Sequence, residues 1–397
     1  MLKIKMYAAN DGDAFLLQST DTHILIDGGY ASTFNREIAK DLRTLASENK
    51  QLDLVIVTHI DADHIGGLVR LFSENGAAAK PNLILVKQIW HNSLRSLTTR
   101  CCYEVPSDQY PLLRAINKRG HPSDMVNTNS EAEAEKISAK QGSALARLIF
   151  EGGYSWNGGN GVTPVVKGYC HHFEGSADRI SVLTPSENQL NKLLEFWKKY
   201  LYRAGFRVPS DSGELIDDAF EFTLEHIEDE ANVNVNRISS TERKSLEEIY
   251  IADTSPTNGS SISLVFEADG KRLLMLADAW AEDVIQSLQE MEAKGVSMLF
   301  DAIKISHHGS YRNTSPELLK MIDAPIYFIS TDGSKHDHPD DAVLNAIVDR
   351  PSEFTRTLYF NYSTPASRKL HSYSVKTKTK FLVIENVIDW IEIGNEN

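Results

Sequence analysis

The segment Thr58-His59-Ile60-Asp61-Ala62-Asp63-His64-Ile65-Gly66-Gly67 constrains this chain more than any other part of it. His59, Asp61, Asp63 and His64, four groups able to bind a metal, fall within six positions directly after the apolar run Leu52-Asp53-Leu54-Val55-Ile56-Val57. A run of that kind reads as a buried strand. Where such a strand ends and the chain turns, alternate side chains converge on one point. Imidazole with carboxylate then suits Zn, Mn or Fe at ~2.0–2.2 Å. The plain alternative is a polar loop that caps the next helix through Asp61 or Asp63. Four donors in so short a stretch are more than a cap needs.

Around this motif the pattern alternates between strands and helices. Leu2 to Met6, Ala14 to Leu17 and His23 to Ile26 read as an opening β-meander. Glu37 to Asn49 has helical spacing, Ile65 to Phe72 reads as a second helix, and Leu83 to Val86 with Ile89-Trp90 as a further strand. From about 92 to 170 the pattern loosens around an expected helix from Glu131 to Phe150, with two glycine-containing stretches. Ile180 to Pro185 resumes strand character, followed by expected helices at Asn188–Ala204 and Ser239–Ile249. The spans 92–170 and 186–257 are therefore read as two mainly helical insertions in a single domain of residues 1–397. Ser261 to Phe266 and Lys271 to Leu276 make a hairpin about Ala268-Asp269-Gly270. Strands at Ala302–Ser306, Pro325–Ser330, Thr357–Tyr362 and Lys380–Ile384 complete the pattern.

Further candidate ligands follow these later strands. Asp278 comes directly after an apolar run, the place for a carboxylate at the mouth of a sheet that bridges two cations; a turn residue before a helix is the bland alternative. His307 and His308 end another apolar strand, Asp27 precedes Gly28-Gly29, and His338 precedes Pro339 in a turn. An ordinary Asp-Gly turn would also account for Asp27.

The motif resembles the His-x-His/Asp-x-Asp-His signature of the metallo-β-lactamase superfamily, with Asp61 where many members have a second His. In detail it is similar to the soluble metallo-β-lactamase-like domain of ComEC-type competence proteins and its stand-alone relatives. Asn10–Ala14, Ile26–Gly29, Asn258–Leu264, Leu274–Asp278, Ile303–Ser310 and His336–Pro339 agree with that domain in order, with Ala277 in place of the usual Gly. The resemblance implies an α/β fold, the metallo-β-lactamase αβ/βα four-layer sandwich. It also implies a centre of two divalent cations, Zn or Mn, held by His59, Asp61, Asp63, His64, Asp278 and His307. Within the pair His307/His308 the reading selects His307. Asp63 and Asp27 are expected to accept or orient the proton of the attacking water, Asp27 as a carboxylate that orients a ligating His or that water. His338 is expected to contact a substrate phosphate or shuttle a proton, and a structural turn is its alternative. The third ligand of the first metal stays open, with His91 as a candidate.

Composition narrows the substrate and the setting. The formal charge of −14 disfavours general attraction to polyanions, so a nucleic-acid path needs a local basic patch. Lys87, Arg95, Arg100, Lys192, Lys198, Lys199 and Arg203 are the candidates, with Trp90 and Trp197 as stacking partners; a solvated helix face is the plainer account of the cluster. Three cysteines in no zinc-ribbon or disulfide spacing, and no export signal, point to a reducing cytoplasm. No apolar run approaches ~18 residues, so no membrane span is expected. The leading expectation is a two-metal phosphodiesterase or nuclease using a metal-bound hydroxide, acting on nucleic acid or another phosphodiester. Hydrolysis of a small ester, lactone or thioester is the second expectation, and a catalytically degenerate binding module the third. The insertions are expected to roof the site or dock a protein partner.

Overall fold

A computed structural model describes residues 1–98, 144–203, 220–221 and 244–394. The expected helices at Glu131–Phe150 and Ser239–Ile249 lie partly outside those residues, and Cys101, Cys102 and Arg100 lie wholly outside them. The chain is mixed α/β, with two sheets and helices. The early strands are β1 (Lys3–Met6), β2 (Phe15–Gln18), β3 (His23–Ile26), β4 (Leu54–Ile56), β5 (Ile89–Trp90), β6 (Cys170–His172) and β7 (Arg179–Thr184). The later ones are β8 (Ser263–Ala268), β9 (Lys271–Met275), β10 (Ala302–Lys304), β11 (Ile326–Ile329), β12 (Arg356–Phe360), β13 (Phe381–Ile384) and β14 (Ile391–Glu392). The chain divides into two compact units, one of residues 1–26, 166–189 and 229–397, the other of residues 27–165 and 190–228.

In the first unit, β1, β2 and β3 form the expected meander, and β14 returns antiparallel to β1 with Ile391 opposite Ile4. An eight-stranded sheet runs in the order β13-β12-β11-β10-β9-β8-β7-β6. Its strands from β9 to β13 are parallel, in register at Ala302/Leu273 and Ala302/Ile326. One face of that half shows the period-2 alternation of a buried strand surface. Leu274, Ile303, Tyr327 and Leu358 join one apolar core with Val284 and Leu288 of helix Ala281–Glu292 and Val343 and Ile347 of helix Asp341–Asp349. The hairpin turn between β8 and β9 is as expected, with positive φ at Asp269 (52°) and Gly270 (72°). Asp278, His307 and His338 all follow the carboxyl ends of adjacent parallel strands, where open α/β sheets present their ligand-binding groups.

In the second unit, β4 and β5 pair in parallel, Val55 with Ile89 and Ile56 with Trp90. Helix Ala62–Asn75 buries Ile65, Leu68, Leu71 and Phe72, and Phe72 meets Tyr154 edge-on at 4.9 Å. Leu83 to Val86 is not a full strand: Val86 makes an isolated parallel bridge to Leu52, while the Asn75 side chain takes the backbone groups of Leu83 and Ile84. Leu83 and Ile84 donate to Asn75 Oδ1 at 2.9 and 3.0 Å, and Asn75 Nδ2 donates to Ile84 O at 2.9 Å. A side-chain amide here replaces a ladder.

Two glycine motifs of this unit meet backbone to backbone. Gly28 N donates to His64 O at 2.8 Å and Gly67 N to Gly29 O at 2.7 Å. A Cβ on Gly67 would stand 2.0 Å from Gly28 O, and one on Gly28 would stand 2.7 Å from Leu68 N. Backbone cannot give way as a side chain can. Gly67→Ala is therefore expected to cost about 3 kcal/mol or more, read by urea denaturation. A loss below about 1 kcal/mol would show that the two motifs do not depend on this contact.

Candidate metal centre

The second unit carries the first ligand set. Asp27 stands before β4 in positive φ (54°), and its carboxylate accepts three hydrogen bonds. Thr58 N donates at 2.8 Å, Thr58 Oγ1 at 2.6 Å and His64 Nδ1 at 2.8 Å. A carboxylate only accepts, so the proton of neutral His64 sits on Nδ1 and the lone pair on Nε2. Thr58 spends its hydroxyl proton on Asp27, so at 3.1 Å its oxygen accepts from His59 Nδ1. His59 therefore also keeps its lone pair on Nε2, which lies 3.4 Å from Asp61 Oδ2, while His64 Nε2 lies 3.8 Å from Asp63 Oδ2. The imidazoles are 4.1 Å apart and buried. Asp61 occupies the N-cap position of helix Ala62–Asn75 but makes no side-chain capping bond, so capping does not account for its carboxylate.

The first unit carries the second set. Asp278, His307 and His308 each offer a ligand atom within 4.8 Å of the others'. Asp278 Oδ2 is 3.8 Å from His307 Nε2 and 3.6 Å from His308 Nε2. Both Nδ1 atoms are engaged: His308 Nδ1 donates to the backbone oxygen of Ser330 at 2.7 Å, and His307 Nδ1 meets Asn313 Oδ1 at 2.8 Å. The sequence reading selects His307 from the pair, and the structure brings both to Asp278. Burial pushes His308 down, but the charges of Asp278 and Asp13 outweigh it and raise its pKa. A cation at Nε2 would compete with a proton there.

Behind Asp278 lies a group that the sequence reading missed. Lys304, the last residue of β10 and 1% exposed at its side chain, pairs with Asp13, donates to Ala277 O at 3.0 Å and lies 3.6 Å from Asp278 Oδ1. Asp278 thus turns one oxygen to the ammonium and the other to the histidines. A charged residue inside the Ile303-Lys304-Ile305 strand was the available signal. Ala277, His307 and His308 have φ of 47°, 44° and 56°, a left-handed conformation that costs roughly 1–2 kcal/mol each outside glycine. That conformation explains why Gly is usual at position 277 in the sequences this block resembles.

The other sequence candidates are placed as follows. His338 is buried beside the second set, its ring 5.4 Å from His307 and its Nδ1 3.4 Å from Asp340 Oδ2. Burial, with His307 and His308 nearby, pushes its pKa down against the opposing effect of Asp340. His91 turns Nε2 to Glu221 at 2.7 Å and stacks on Trp156 at 5.9 Å, so that nitrogen is committed within its own unit. Trp90 and Trp197 are fully buried, which removes them as stacking platforms for bases. Lys87 pairs with Asp53 at 2.9 Å, Lys198 with Glu195 at 3.0 Å, and Arg95 lies over Phe150 at 4.2 Å.

The donor chemistry fits divalent cations. Two ligands on one tetrahedral cation at ~2.0–2.2 Å stand ~3.3–3.6 Å apart. The Nε2–carboxylate separations of 3.4 to 3.8 Å are near that spacing and too long for hydrogen bonds. His59, His64 and His308 also donate their other ring proton to an acceptor, as metal-ligating histidines do.

Residues 8–96 match the metallo-β-lactamase superfamily model. That stretch holds Asp13, Asp27, His59, Asp61, Asp63 and His64. The anti-Pycsar protein Apyc1 of Paenibacillus sp. (strain J14) is 34% identical over 86 residues, 20% of this chain and 33% of that protein. The match thus spans about a third of that curated relative's length. Similar solved structures include a Cronobacter sakazakii metallo-β-lactamase with a HARLDQ motif, at 12% identity and TM-score 0.26, over 73% of this chain and 70% of that one. Another is MEM-A1, a subclass B3 metallo-β-lactamase from a soil metagenome library, at 13% identity and TM-score 0.28, over 80% of this chain and 84% of that one.

Removing the ammonium from the buried Lys304 cluster would leave Asp13 and Asp278 without it. Lys304→Met is expected to destabilise the metal-free protein by ~3–5 kcal/mol in chemical denaturation. An unchanged midpoint would show that the ammonium does not hold this cluster.

Proposed function

We propose that the chain is a metal-dependent hydrolase of phosphodiesters. In this reading His59, Asp61, Asp63 and His64 hold one cation, and Asp278, His307 and His308 hold another. The superfamily match over residues 8–96 supports the first set as metal ligands, and the resemblance to ComEC-type domains supports both sets. The observation that carries the reading is the proton arrangement: within each set the histidines hold Nδ1 on an acceptor and turn Nε2 towards a carboxylate.

When bound, a pair of divalent cations brings the pKa of a water towards neutrality and offsets charge on phosphoryl oxygens. The chain's own residues do the rest. Asp27 spends its oxygens on Thr58 and His64, so it orients His64 and Asp63 is left as the carboxylate to hold the water's proton. Asp63 is about one-fifth exposed, which suits that role. His338, pushed towards its neutral form, serves as a hydrogen-bond partner to the substrate. Asp61 in place of a His hardens the ligand set and makes Mn a rival to Zn.

The net charge of −14 and the burial of Trp90 and Trp197 favour small phosphodiesters over long nucleic acid. The test is hydrolysis of bis(p-nitrophenyl) phosphate, short oligonucleotides, plasmid DNA and p-nitrophenyl acetate with Mn²⁺ or Zn²⁺. We expect cleavage of the phosphodiesters, with kcat/KM reduced ~100-fold or more in His64→Ala and in Asp278→Asn. Metal-bound protein that cleaves the acetate and no phosphodiester would overturn the proposal in favour of ester chemistry.

A further inference from the structure

Of the four histidines above, two have Nδ1 against a group whose polarity is not fixed by its own chemistry: His59 faces the Thr58 hydroxyl, which Asp27 settles, and His307 faces the side-chain amide of Asn313. Ser330 O and the Asp27 carboxylate can only accept, but a side-chain amide can present either end. What decides the amide of Asn313 is the buried carboxylate of Asp253. Asn313 Nδ2 donates to Asp253 Oδ2 at 2.8 Å and to the backbone oxygen of Asp278 at 3.1 Å. Turned over, Asn313 would set its oxygen against both of those acceptors, so Oδ1 must face His307 Nδ1, at 2.8 Å. Asp253 is itself held by Ser255 N at 3.0 Å and Asn258 Nδ2 at 2.8 Å. Asn313 and Asn258 are buried, and Asp253 nearly so.

A competing donor is present. Asn258 Nδ2 also lies 3.3 Å from His307 Nδ1 and would donate to it if that nitrogen carried no proton. The shorter contact to Asn313 Oδ1 favours the protonated form. We propose that Asp253 and Asn313 are positioning residues: Asp253 orients the Asn313 amide, and Asn313 in turn keeps the proton of His307 on Nδ1 and its lone pair on Nε2, towards Asp278. The proposal rests on the reading of His307 as a ligand. Neither residue touches the proposed cation, and neither lies in the ligand motifs.

The tautomer can be read without metal. In the metal-free protein with ¹⁵N-labelled histidine at pH 8, two-bond ¹H–¹⁵N correlations distinguish the two neutral forms, and His307→Gln assigns the signal. We expect the Nδ1-protonated form in the natural protein. Asn313→Leu should move it towards the Nε2-protonated form and weaken Zn²⁺ or Mn²⁺ affinity ~10–100-fold. Asp253→Asn, which lets the Asn313 amide turn over, should give a mixture of forms. The charge-conserving swap Asp253→Asn/Asn313→Asp restores an obligate acceptor for Nδ1, though it sets an oxygen near the Asp278 backbone oxygen, and should recover the tautomer, a rescue that a merely structural role would not give. An Nε2-protonated His307 in the natural protein, or a tautomer unmoved by Asn313→Leu and Asp253→Asn, would overturn the proposal. Should Asn313→Leu not fold, the natural protein and the swap still decide it. A His307 signal unmoved by Zn²⁺ would instead defeat the ligand reading while leaving the tautomer assignment intact.

Discussion

The account depends on where buried imidazoles keep their protons. A neutral histidine has one N–H and one lone pair, and the acceptor placed against one nitrogen decides which face is left to bind. Here Asp27, Thr58, Ser330 and Asn313 stand against Nδ1 of His64, His59, His308 and His307 respectively. Those four contacts give unrelated side chains one common orientation of chemistry. Without them, His59, His64 and His308 would be buried polar groups with no defined role, each costly to leave unsatisfied, and His307 a half-buried one.

Placing the acceptors and ligands requires unusual backbone, and the glycines and left-handed residues supply it. Gly28 and Gly67 let two motif backbones touch, which carries His64 to Asp27. Left-handed φ at Ala277, His307 and His308 turns the chain sharply just past the carboxyl ends of β9 and β10, so that Asp278 and both histidines face each other. His307 N donating to Ala277 O at 2.9 Å ties those two turns together. Local strain is held there by hydrogen bonds from neighbouring segments.

Much of this was legible from residue order alone. The strand ends carrying His59, Asp278 and His307 follow from apolar runs interrupted by polar motifs, and most strands appear within a residue or two of their expected positions. Asp27 as an orienting carboxylate was expected; its choice of His64 as partner could not be, because 37 residues separate them. What could not be read is pairing across long separations. Lys304 with Asp13, Asn313 with Asp253, and His91 with Glu221 depend on tertiary contacts that leave no periodic trace. The choice between His307 and His308 turned on backbone conformation, and the burial of Trp90 and Trp197 on packing. Asn75 shows the same limit for local structure, since one side chain reduces the strand pattern at Leu83–Val86 to a single bridge at Val86.

The central claim is that each histidine-carboxylate set is a cation site. The most direct measurement is cation stoichiometry by equilibrium dialysis against Zn²⁺ and Mn²⁺ with elemental analysis. It would compare the natural chain with the paired variants His59→Gln/His64→Gln and His307→Gln/His308→Gln, with circular dichroism confirming their fold. The account predicts two cations per chain, reduced to one in each paired variant. A natural chain that binds no cation, or paired variants that keep the full complement, would contradict it.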